Sequence, residues 1–408
     1  MAPSRTTGLT HQESNKSMSP GFVDLVKLLS SMKGDLANMT APPFFLAPSS
    51  VVENPACWAQ RPSVFTAPAK EQEPQRRSLL VLRMFLIGLR DQLYIAGAPN
   101  VSIKKPLNAF LGETFLSSWT EPNSGATTRL VSEQVSHHPP ITAVHISSQE
   151  HGIRGDGYAR VEMTFSGSVN IRQIGHTILH IDQFNEDYIL PMLNVQVRGF
   201  LSACLYPEIT GMYKIISSTG FVSEINFMGK GILRGKKKNY FEAKVYHSSD
   251  EKNTCRYEIA GVWSEGWQLK DGKTGEILET YHLDAPENRP VPMDIEPIET
   301  QDPWESRRAW RDVIFALGRG DFWAASTAKQ AVEDAQRRMR LEEARSGETW
   351  KPLFFESTPG SQHKIFHHLV QGTEWALSDL ETKGIWRIKD ERLSTIQKPF
   401  RGNLTPLG

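Results

Sequence analysis

The chain has 408 residues, of which 39% are hydrophobic and 23% charged, the proportions of an ordinary globular protein. Lysine plus arginine number 46, as do aspartate plus glutamate, so no net charge attracts nucleic acid and we expect no such partner. The three cysteines have no CxxC spacing, which argues against a disulfide framework or a zinc site and fits a reducing cytosol. The first twenty residues lack the apolar core of a signal peptide, and no apolar run approaches the roughly 20 residues of a transmembrane helix. We therefore expect a cytoplasmic protein that, if it meets membranes, does so from outside.

The N-terminal region predicts a tail, a short helix and a connector. Residues 1–19 are polar and rich in serine and threonine, which is typical of disorder. Pro20 is a helix start signal. The apolar residues that follow it at helical spacing predict an amphipathic helix ending near Gly34: they are Phe22, Leu25, Val26, Leu29, Met32 and Leu36. Such a helix could be docked on the core, or it could be a mobile lid or an element that touches membranes. Residues 40–48 (TAPPFFLAP) then predict an extended apolar connector.

A second helical region comes next. Trp58 lies in a helical-looking patch, where a place in the core is the simplest interpretation. A longer helix is predicted from about Pro74 to Tyr94, because leucines and a phenylalanine recur there at helical spacing. Residues 104–113 (KKPLNAFLGE) read by themselves as a solvated turn carrying two lysines.

From about residue 114 to residue 282 the pattern changes to short alternating runs. These runs are 129–135, 141–147, 158–165, 168–171, 177–181, 240–246 and 256–263. Turn signals separate them at Pro122-Asn123, Gly155-Asp156-Gly157, Ser249-Asp250 and Asp271-Gly272. Many strands without intervening helices predict a mainly β (α+β) protein with a large antiparallel sheet, and closure into a barrel would leave few exposed edges. A barrel of more than about eight strands is wide enough to enclose a ligand.

The C-terminal part returns to helices. Residues 284–303 are rich in proline and acid and end the sheet region. A first helix carries Trp304 and Phe315 and closes at Gly318 and Gly320. Asp321 is the predicted N-cap of a second helix that reaches about Arg345. Residues 350–408 predict irregular structure packed on the barrel.

Two short sequence patterns contain candidate binding or catalytic residues. In the second of these helices Lys329, Glu333 and Arg337 are spaced four residues apart along one face, which by itself is a solvated charge ladder. Residues 133–140 read EQVSHHPP, where Pro139 and Pro140 stiffen the segment that holds two histidines. Chemistry alone leaves three interpretations of that segment: a phosphate clamp, half a metal site, or a rigid turn whose histidines pack.

Metal binding and catalysis are weakly supported. Adjacent histidines on an extended chain point opposite ways, and no third ligand stands at a fixed spacing, so we expect no metal. Glu113 and Glu133 could do acid–base work beside a histidine. A GxSxG motif is absent and no cysteine adjoins the histidines, so we expect no enzyme. Neither a dinucleotide nor a P-loop motif is present, and we expect no cofactor.

Three motifs together resemble one family. EQVSHHPP resembles the signature of the oxysterol-binding-protein-related lipid transfer proteins. KKPLNAFLGE resembles the KPLNPxLGE motif of that family, with Ala109 where proline is usual, and KQAVEDAQR at 329–337 resembles its Lys-x3-Glu-x3-Arg helix. The resemblance runs from about Phe22 to Phe355. It implies a short form that consists of the ligand-binding domain alone, with no further lipid-targeting domain before it. The implied divisions are a tail (1–19) and one domain (20–408), itself made of a lid and connector (20–48), a helical region (49–113), a barrel (114–283) and a C-terminal subdomain (284–408).

The resemblance also implies roles for particular residues. The head group of phosphatidylinositol 4-phosphate, whose phosphomonoester carries roughly two charges near neutral pH, would be bound by Lys105, Asn108, His137, His138, Lys329, Glu333 and Arg337. The lysines and Arg337 would supply charge, the histidines hydrogen bonds, and Glu333 would position Lys329 and Arg337. Trp58, Gln92 and Leu93 would line a sterol tunnel, covered by a lid carrying Phe22, Leu25, Val26 and Leu29.

The implied function is lipid exchange. Sterol and phosphatidylinositol 4-phosphate would compete for one tunnel, and a monomer would carry them between anionic membrane surfaces such as those of the endoplasmic reticulum, Golgi or plasma membrane. Apart from the resemblance, Lys236, Lys237 and Lys238 could add membrane attraction of about 1 kcal/mol each, although a solvated hairpin tip is the commoner explanation of such a run. Phosphatidylserine in place of sterol, and a lipid sensor that transfers nothing, are the alternatives.

Overall fold

The structure is a computed structural model that describes most of the chain. The described residues are 20–31, 34–37, 39, 41–95, 101–200, 204–229, 238–251, 254–347, 350–373, 375, 377 and 379–408. The predicted disordered tail and two of the three lysines at 236–238 lie outside these ranges. Within the ranges, none of the helices has the length and apolar character needed to cross a membrane.

Ten helices and eighteen strands make up the described part of the fold. The helices are α1 Pro20–Ser31, α2 Ala56–Ala59, α3 Pro62–Lys70, α4 Pro74–Leu93, α5 Ser306–Ala309, α6 Arg311–Gly318, α7 Phe322–Ser346, α8 Lys364–Val370, α9 Asp379–Thr382 and α10 Asp390–Thr395. The strands are β1 Leu46–Ser50, β2 Lys105–Leu107, β3 Thr114–Thr120, β4 Thr127–His137, β5 Pro140–Ser148, β6 Ile153–Phe165, β7 Val169–Ile181, β8 Glu186–Pro191, β9 Val195–Arg198, β10 Tyr206–Ile209, β11 Gly211–Ser217, β12 Phe221–Met228, β13 Tyr240–His247, β14 Tyr257–Val262, β15 Gly266–Asp271, β16 Ile277–His282, β17 Phe355–Thr358 and β18 Ile385–Ile388.

Strands β3 to β16 form one antiparallel sheet of 14 strands, which confirms the predicted mainly β architecture. The main path runs in chain order from β3 to β8 and from β11 to β16, while the β9–β10 hairpin joins through β7. The proline-rich segment 284–303 pairs with the edge strand β3, because Ser118 and Asp294 exchange backbone hydrogen bonds of 2.9 and 2.8 Å. That segment therefore covers a sheet edge that would otherwise expose unpaired backbone groups.

One predicted turn is wrong. Gly155, Asp156 and Gly157 lie inside β6, in register with β7, and do not separate two strands. A Cβ at Gly157 would come within 2.3 Å of the Thr177 hydroxyl oxygen. The glycine is thus explained by close approach of the neighbouring strand, which is a common reason for glycine within a sheet. The predicted runs at 168–171 and 177–181 likewise belong to one strand, β7.

The long helices follow their sequence signals. Helix α4 begins at Pro74 and ends at Leu93, one residue before the predicted end. The predicted cap of α7 is present, since the Asp321 carboxylate accepts a 3.0 Å hydrogen bond from the Ala324 N–H. Helix α1 ends at Ser31, earlier than predicted, and Leu36 lies beyond it. The single helix predicted around 304–318 is two short helices, α5 and α6.

The C-terminal region is more regular than the sequence predicted. Strands β17 and β18 pair antiparallel, and α8, α9 and α10 are short helices. The pairing strands are separated by more than twenty residues of chain, so no local alternation marked them as partners. Phe354, Phe366 and Trp386 pack with Val135 and Tyr158 of the large sheet in one buried cluster. This region therefore covers an outer face of the sheet.

A buried ion pair fixes the start of α4 to the sheet. The Arg77 Nε atom donates to a Glu186 carboxylate oxygen at 2.6 Å, and the two side chains are 4% and 0% exposed. The other carboxylate oxygen accepts from the hydroxyls of Ser217 and Thr219, each at 2.7 Å. Helix α4 is thereby held on the inner side of the fold, where Phe85 shares the main apolar core with Phe227.

We predict that Arg77→Met destabilises the fold by roughly 3–5 kcal/mol, because it leaves the Glu186 carboxylate buried without its partner. Arg83→Met is the matched control on the same helix, since Arg83 pairs with Glu279 where both side chains are partly exposed. That change should cost no more than about 1 kcal/mol. Urea unfolding of the two variants measures both free energies, and equal midpoints would contradict this account.

Candidate functional site

The inner side of the sheet encloses a mostly apolar tunnel. A cavity of about 1530 Å³, including its part open to solvent, lies between α1, the end of α4 and strands β5, β6, β7 and β9. A neighbouring cavity of about 1100 Å³ continues it towards α2. The two share part of their lining: Val51, Asn54, Gln92, Thr142, Val161 and Gln173. Apolar walls with a few polar groups are the usual character of a site for a largely apolar ligand.

The three predicted tunnel residues all lie on this lining. Gln92 borders both cavities and Leu93 borders the first. Trp58 borders the second, where its ring packs at 5.6 Å from the ring of Phe85. The Trp58 ring also lies against Gly88, at which a Cβ would be 3.0 Å away. A side chain at that position would require the Trp58 ring to shift by a few tenths of an ångström.

Helix α1 closes one side of the same tunnel. Leu25 and Leu29 are buried and border the first cavity, while Val26 packs against the same core. The fourth predicted lid residue, Phe22, lies outside the described side chains. Beyond the helix, the Leu36 N–H donates a 2.7 Å hydrogen bond to the Met163 carbonyl of β6. In this structure the predicted lid helix is therefore docked over the tunnel.

A pocket that is more polar than the tunnel, of about 1010 Å³ including its part open to solvent, lies between the loop after β2, the end of β4 and α7. His137, His138, Glu333 and Arg337 border this pocket. Asn108 borders both the pocket and the tunnel. The two spaces thus meet at Asn108.

Lys105 and Lys329 do not border this pocket. Lys105 borders the tunnel and donates to the Asn108 side-chain oxygen. Lys329 is buried and pairs with the Glu333 carboxylate. Burial lowers the pKa of Lys105 to about 8, with repulsion from Lys329 adding to the shift and attraction to Glu333 opposing it. The region therefore holds cationic groups that lack full solvation and that an anion would stabilise.

The two histidines do not point opposite ways as predicted. Their ring centroids are 4.7 Å apart in an edge-to-face arrangement. The expectation failed because only His137 belongs to strand β4, whereas His138 lies in the turn before β5. Both side chains consequently face the same pocket.

The partners of the histidines assign their tautomers. The Ala109 carbonyl can only accept, so the His137 Nδ1 that lies 3.0 Å away carries a proton. A guanidinium can only donate, so the His138 Nε2 that lies 2.7 Å from the Arg340 Nη1 accepts. Burial lowers the pKa of His137 to about 4 and also lowers that of His138. At neutral pH both imidazoles are uncharged.

The sequence did not identify Arg340 as a pocket residue, and it predicted the wrong partner for Arg337. Arg340 borders the pocket one helical turn beyond Arg337, and it contacts His138. Its spacing of three residues from Arg337 was the available signal, but the motif ended at Arg337. Glu333 was expected to position Arg337 as well as Lys329, whereas Arg337 pairs with Asp334.

The two glutamates of the motifs hold backbone in place. Glu113 accepts from the Phe110 N–H at 3.1 Å and from the Trp310 indole at 2.9 Å. Glu133 accepts from the N–H groups of Leu353 and Phe354 at 2.7 and 2.9 Å. Burial raises the pKa of each carboxyl to about 7. These contacts give both glutamates a structural role, and no group of three metal-binding side chains occurs within the described ranges.

Comparison with known proteins identifies the family. The oxysterol-binding protein family model matches residues 24–314. "Probable transporter efuK" of Hormonema carpetanum is 44% identical over 380 residues, which are 93% of this chain and 54% of that protein, so the chain spans about half its length. "Protein kes1" of Schizosaccharomyces pombe is 36% identical over 339 residues, covering 82% of this chain and 86% of the relative. The chain therefore belongs to the oxysterol-binding protein family.

Solved structures show the same fold. The "Osh1 ORD domain in complex with cholesterol" superposes with a TM-score of 0.66 at 24% identity and covers 84% of each chain. The "Osh3 ORD in complex with PI(4)P from Saccharomyces cerevisiae" gives a TM-score of 0.64 at 20% identity, covering 84% of this chain and 88% of that one.

The depressed pKa of Lys105 predicts a pH dependence of anion binding. A bound anion favours the protonated ammonium, which the free protein loses as the pH rises through about 8. Affinity for a soluble inositol phosphate should therefore fall by only about twofold between pH 7 and 8 and by up to about tenfold per pH unit well above 8. Calorimetric titrations between pH 7 and 9.5 measure this slope. Lys105→Met should bind more weakly at pH 7 and lose the slope, and an unchanged slope in that variant would assign the titration to another group.

Proposed function

We propose that the protein is a lipid transfer protein that exchanges sterol and phosphatidylinositol 4-phosphate between membranes. The observation that carries the proposal is the junction at Asn108, where an apolar tunnel meets a pocket lined by cationic and imidazole groups. A phosphoinositide could place its acyl chains in the tunnel and its head group in the pocket. A sterol would need only the tunnel.

Competition follows from the shared space. Both ligands would occupy the cavity bordered by Gln92 and Leu93, so one must leave before the other enters. The similar folds that hold cholesterol in one structure and PI(4)P in another support this proposal. A gradient of the phosphoinositide could then drive sterol transport in the opposite direction. This cycle requires no covalent chemistry.

The chemistry of the head-group pocket supports selectivity for a phosphomonoester. Lys105, Lys329 and Arg337 would supply fixed charge, and charge-assisted hydrogen bonds set the orientation of an anion. Glu333 would hold Lys329 in position, as the ion pair between them indicates. We further propose that the protein acts as a monomer from the cytoplasm, with transient contact with anionic membranes of the endoplasmic reticulum, Golgi or plasma membrane.

We predict that changing His137 and His138 together to alanine reduces extraction of phosphatidylinositol 4-phosphate from liposomes at least tenfold, because two groups of the pocket are lost. Sterol binding should stay within about twofold, since neither histidine borders the tunnel cavities. Changing His367 and His368 to alanine is the matched control, an adjacent and exposed pair on α8. Thermal unfolding checks that all variants fold, and equal loss of both lipids in a folded variant would contradict the division of roles.

A transfer assay separates exchange from lipid sensing and from catalysis. Substoichiometric protein is mixed with donor liposomes that contain fluorescent sterol and acceptors with or without phosphatidylinositol 4-phosphate. Exchange predicts multiple turnovers that the phosphoinositide accelerates, while a sensor would bind without moving lipid. Recovery of the lipids unchanged distinguishes transfer from enzymatic turnover. Binding of phosphatidylserine in place of sterol would reassign the second cargo.

A further inference from the structure

Four aromatic side chains are exposed where α6 and α7 meet the connector that follows the lid. We call this set the aromatic corner: Phe44 (36% exposed), Phe315 (66%), Phe322 (45%) and Trp323 (79%). Phe44 precedes β1, Phe315 lies on α6, and the other two form the first turn of α7. Single exposed apolar residues are ordinary, but a contiguous exposed patch marks an interaction site.

The elements that carry these residues pack on one another, since α6 contacts α7 and β1, and α7 contacts the segment 43–45 that precedes β1. The rings of Phe44 and Phe322 lie edge to face, with centroids 6.4 Å apart. Helices α6 and α7 are joined by a tight turn, in which the Asp321 N–H donates to the Ala316 carbonyl at 2.9 Å. Within that turn the Arg319 guanidinium lies 5.4 Å from the centre of the Phe315 ring. The surface thus combines aromatic rings with an exposed cation.

The aromatic corner adjoins the lining of the tunnel. Phe45, the neighbour of Phe44, borders the tunnel cavity, and the two rings are 4.7 Å apart. Helix α7 carries Phe322 at its start and Lys329 seven residues later, a rise of about 10 Å along the helix. The same helix therefore connects the exposed aromatics to the proposed head-group pocket.

These features fit a lipid bilayer better than water. Tryptophan and phenylalanine beside basic residues are typical of surfaces that lie at the boundary between head groups and acyl chains. A lipid that passes between membrane and tunnel must cross the mouth of the tunnel, so the surrounding surface has to meet the membrane. Arg319 is placed to contact lipid phosphate at that boundary.

We propose that the aromatic corner inserts into the interfacial layer of a bilayer and docks the tunnel mouth on the membrane. This inference rests on the proposed lipid transfer function and names the residues that make its membrane contact. Vesicles that contain neither sterol nor phosphoinositide test membrane docking independently of lipid transfer.

The first experiment is co-sedimentation with vesicles of phosphatidylcholine and phosphatidylserine that lack sterol and phosphoinositide. The double variant Phe315→Ser with Trp323→Ser should show at least a tenfold lower partition coefficient than the unmodified chain. The matched control changes Ile277 and Leu278 to serine, two similarly exposed apolar residues (51% and 48%) on the edge strand β16. This control should retain vesicle binding. Unchanged partition of the first variant, or equal loss in both, would overturn the proposal.

A second readout locates Trp323 directly. Vesicles that contain brominated phosphatidylcholine should quench part of the tryptophan fluorescence of the unmodified chain. Trp323→Phe keeps an aromatic ring, so it should bind vesicles but lose most of that quenching. Equal quenching in the two proteins would show that Trp323 stays outside the bilayer and would contradict the proposal.

Two further measurements distinguish bilayer docking from a damaged tunnel and from self-association. Binding of a fluorescent sterol delivered from cyclodextrin, without membranes, should be the same in the serine variant as in the unmodified chain. If the unmodified chain bound neither sterol nor phosphoinositide, the proposed transfer function would be refuted. The vesicle experiment would still decide whether the aromatic corner docks on a bilayer. Sedimentation velocity tests a second copy as the occupant: a dimer that the serine variant abolishes, without any change in vesicle binding, would replace the bilayer proposal.

Discussion

The incomplete solvation of Lys105 and Lys329 is the constraint on which the site depends. Lys105 borders the apolar tunnel, and Lys329 pairs with Glu333, which borders the neighbouring pocket. The shift in the pKa of Lys105 reflects burial first and the neighbouring ammonium second. Glu333 pairs with Lys329 but leaves an excess of positive charge. Because the charges are already positioned by the fold, an anion that enters need not order them, and this preorganisation favours binding.

The surrounding fold keeps that arrangement in place through buried carboxylates. Glu186 holds the start of α4, Glu113 holds the loop after β2, and Glu133 holds the backbone that leads into β17. Gly112 contributes by shape: it has a φ of +80°, and a Cβ there would lie 2.1 Å from the Trp350 ring. The sequence motifs therefore contain two kinds of residue, those that face the pocket and those that build its walls.

The parts of the fold that sequence could predict are those with local causes. Helix α4 and the Asp321 cap of α7 follow from periodicity and a capping residue within a few positions. The turn assigned to Gly155–Gly157 failed because strand pairing overrode the local preference of glycine. At the site, the residue roles came from resemblance and remain proposals. The contact between His138 and Arg340 could not be predicted, since it joins residues 202 positions apart. Likewise the relation of Phe44 to Phe322 depends on tertiary packing alone.

Competition between the two lipids tests the central claim most directly. The purified protein is loaded with a fluorescent sterol and mixed with liposomes that either contain or lack phosphatidylinositol 4-phosphate, at equal surface charge. One shared tunnel predicts that the sterol is displaced only when the phosphoinositide is present, with one phosphoinositide bound for each sterol released. Retention of sterol while the phosphoinositide binds the same molecule would contradict a shared tunnel.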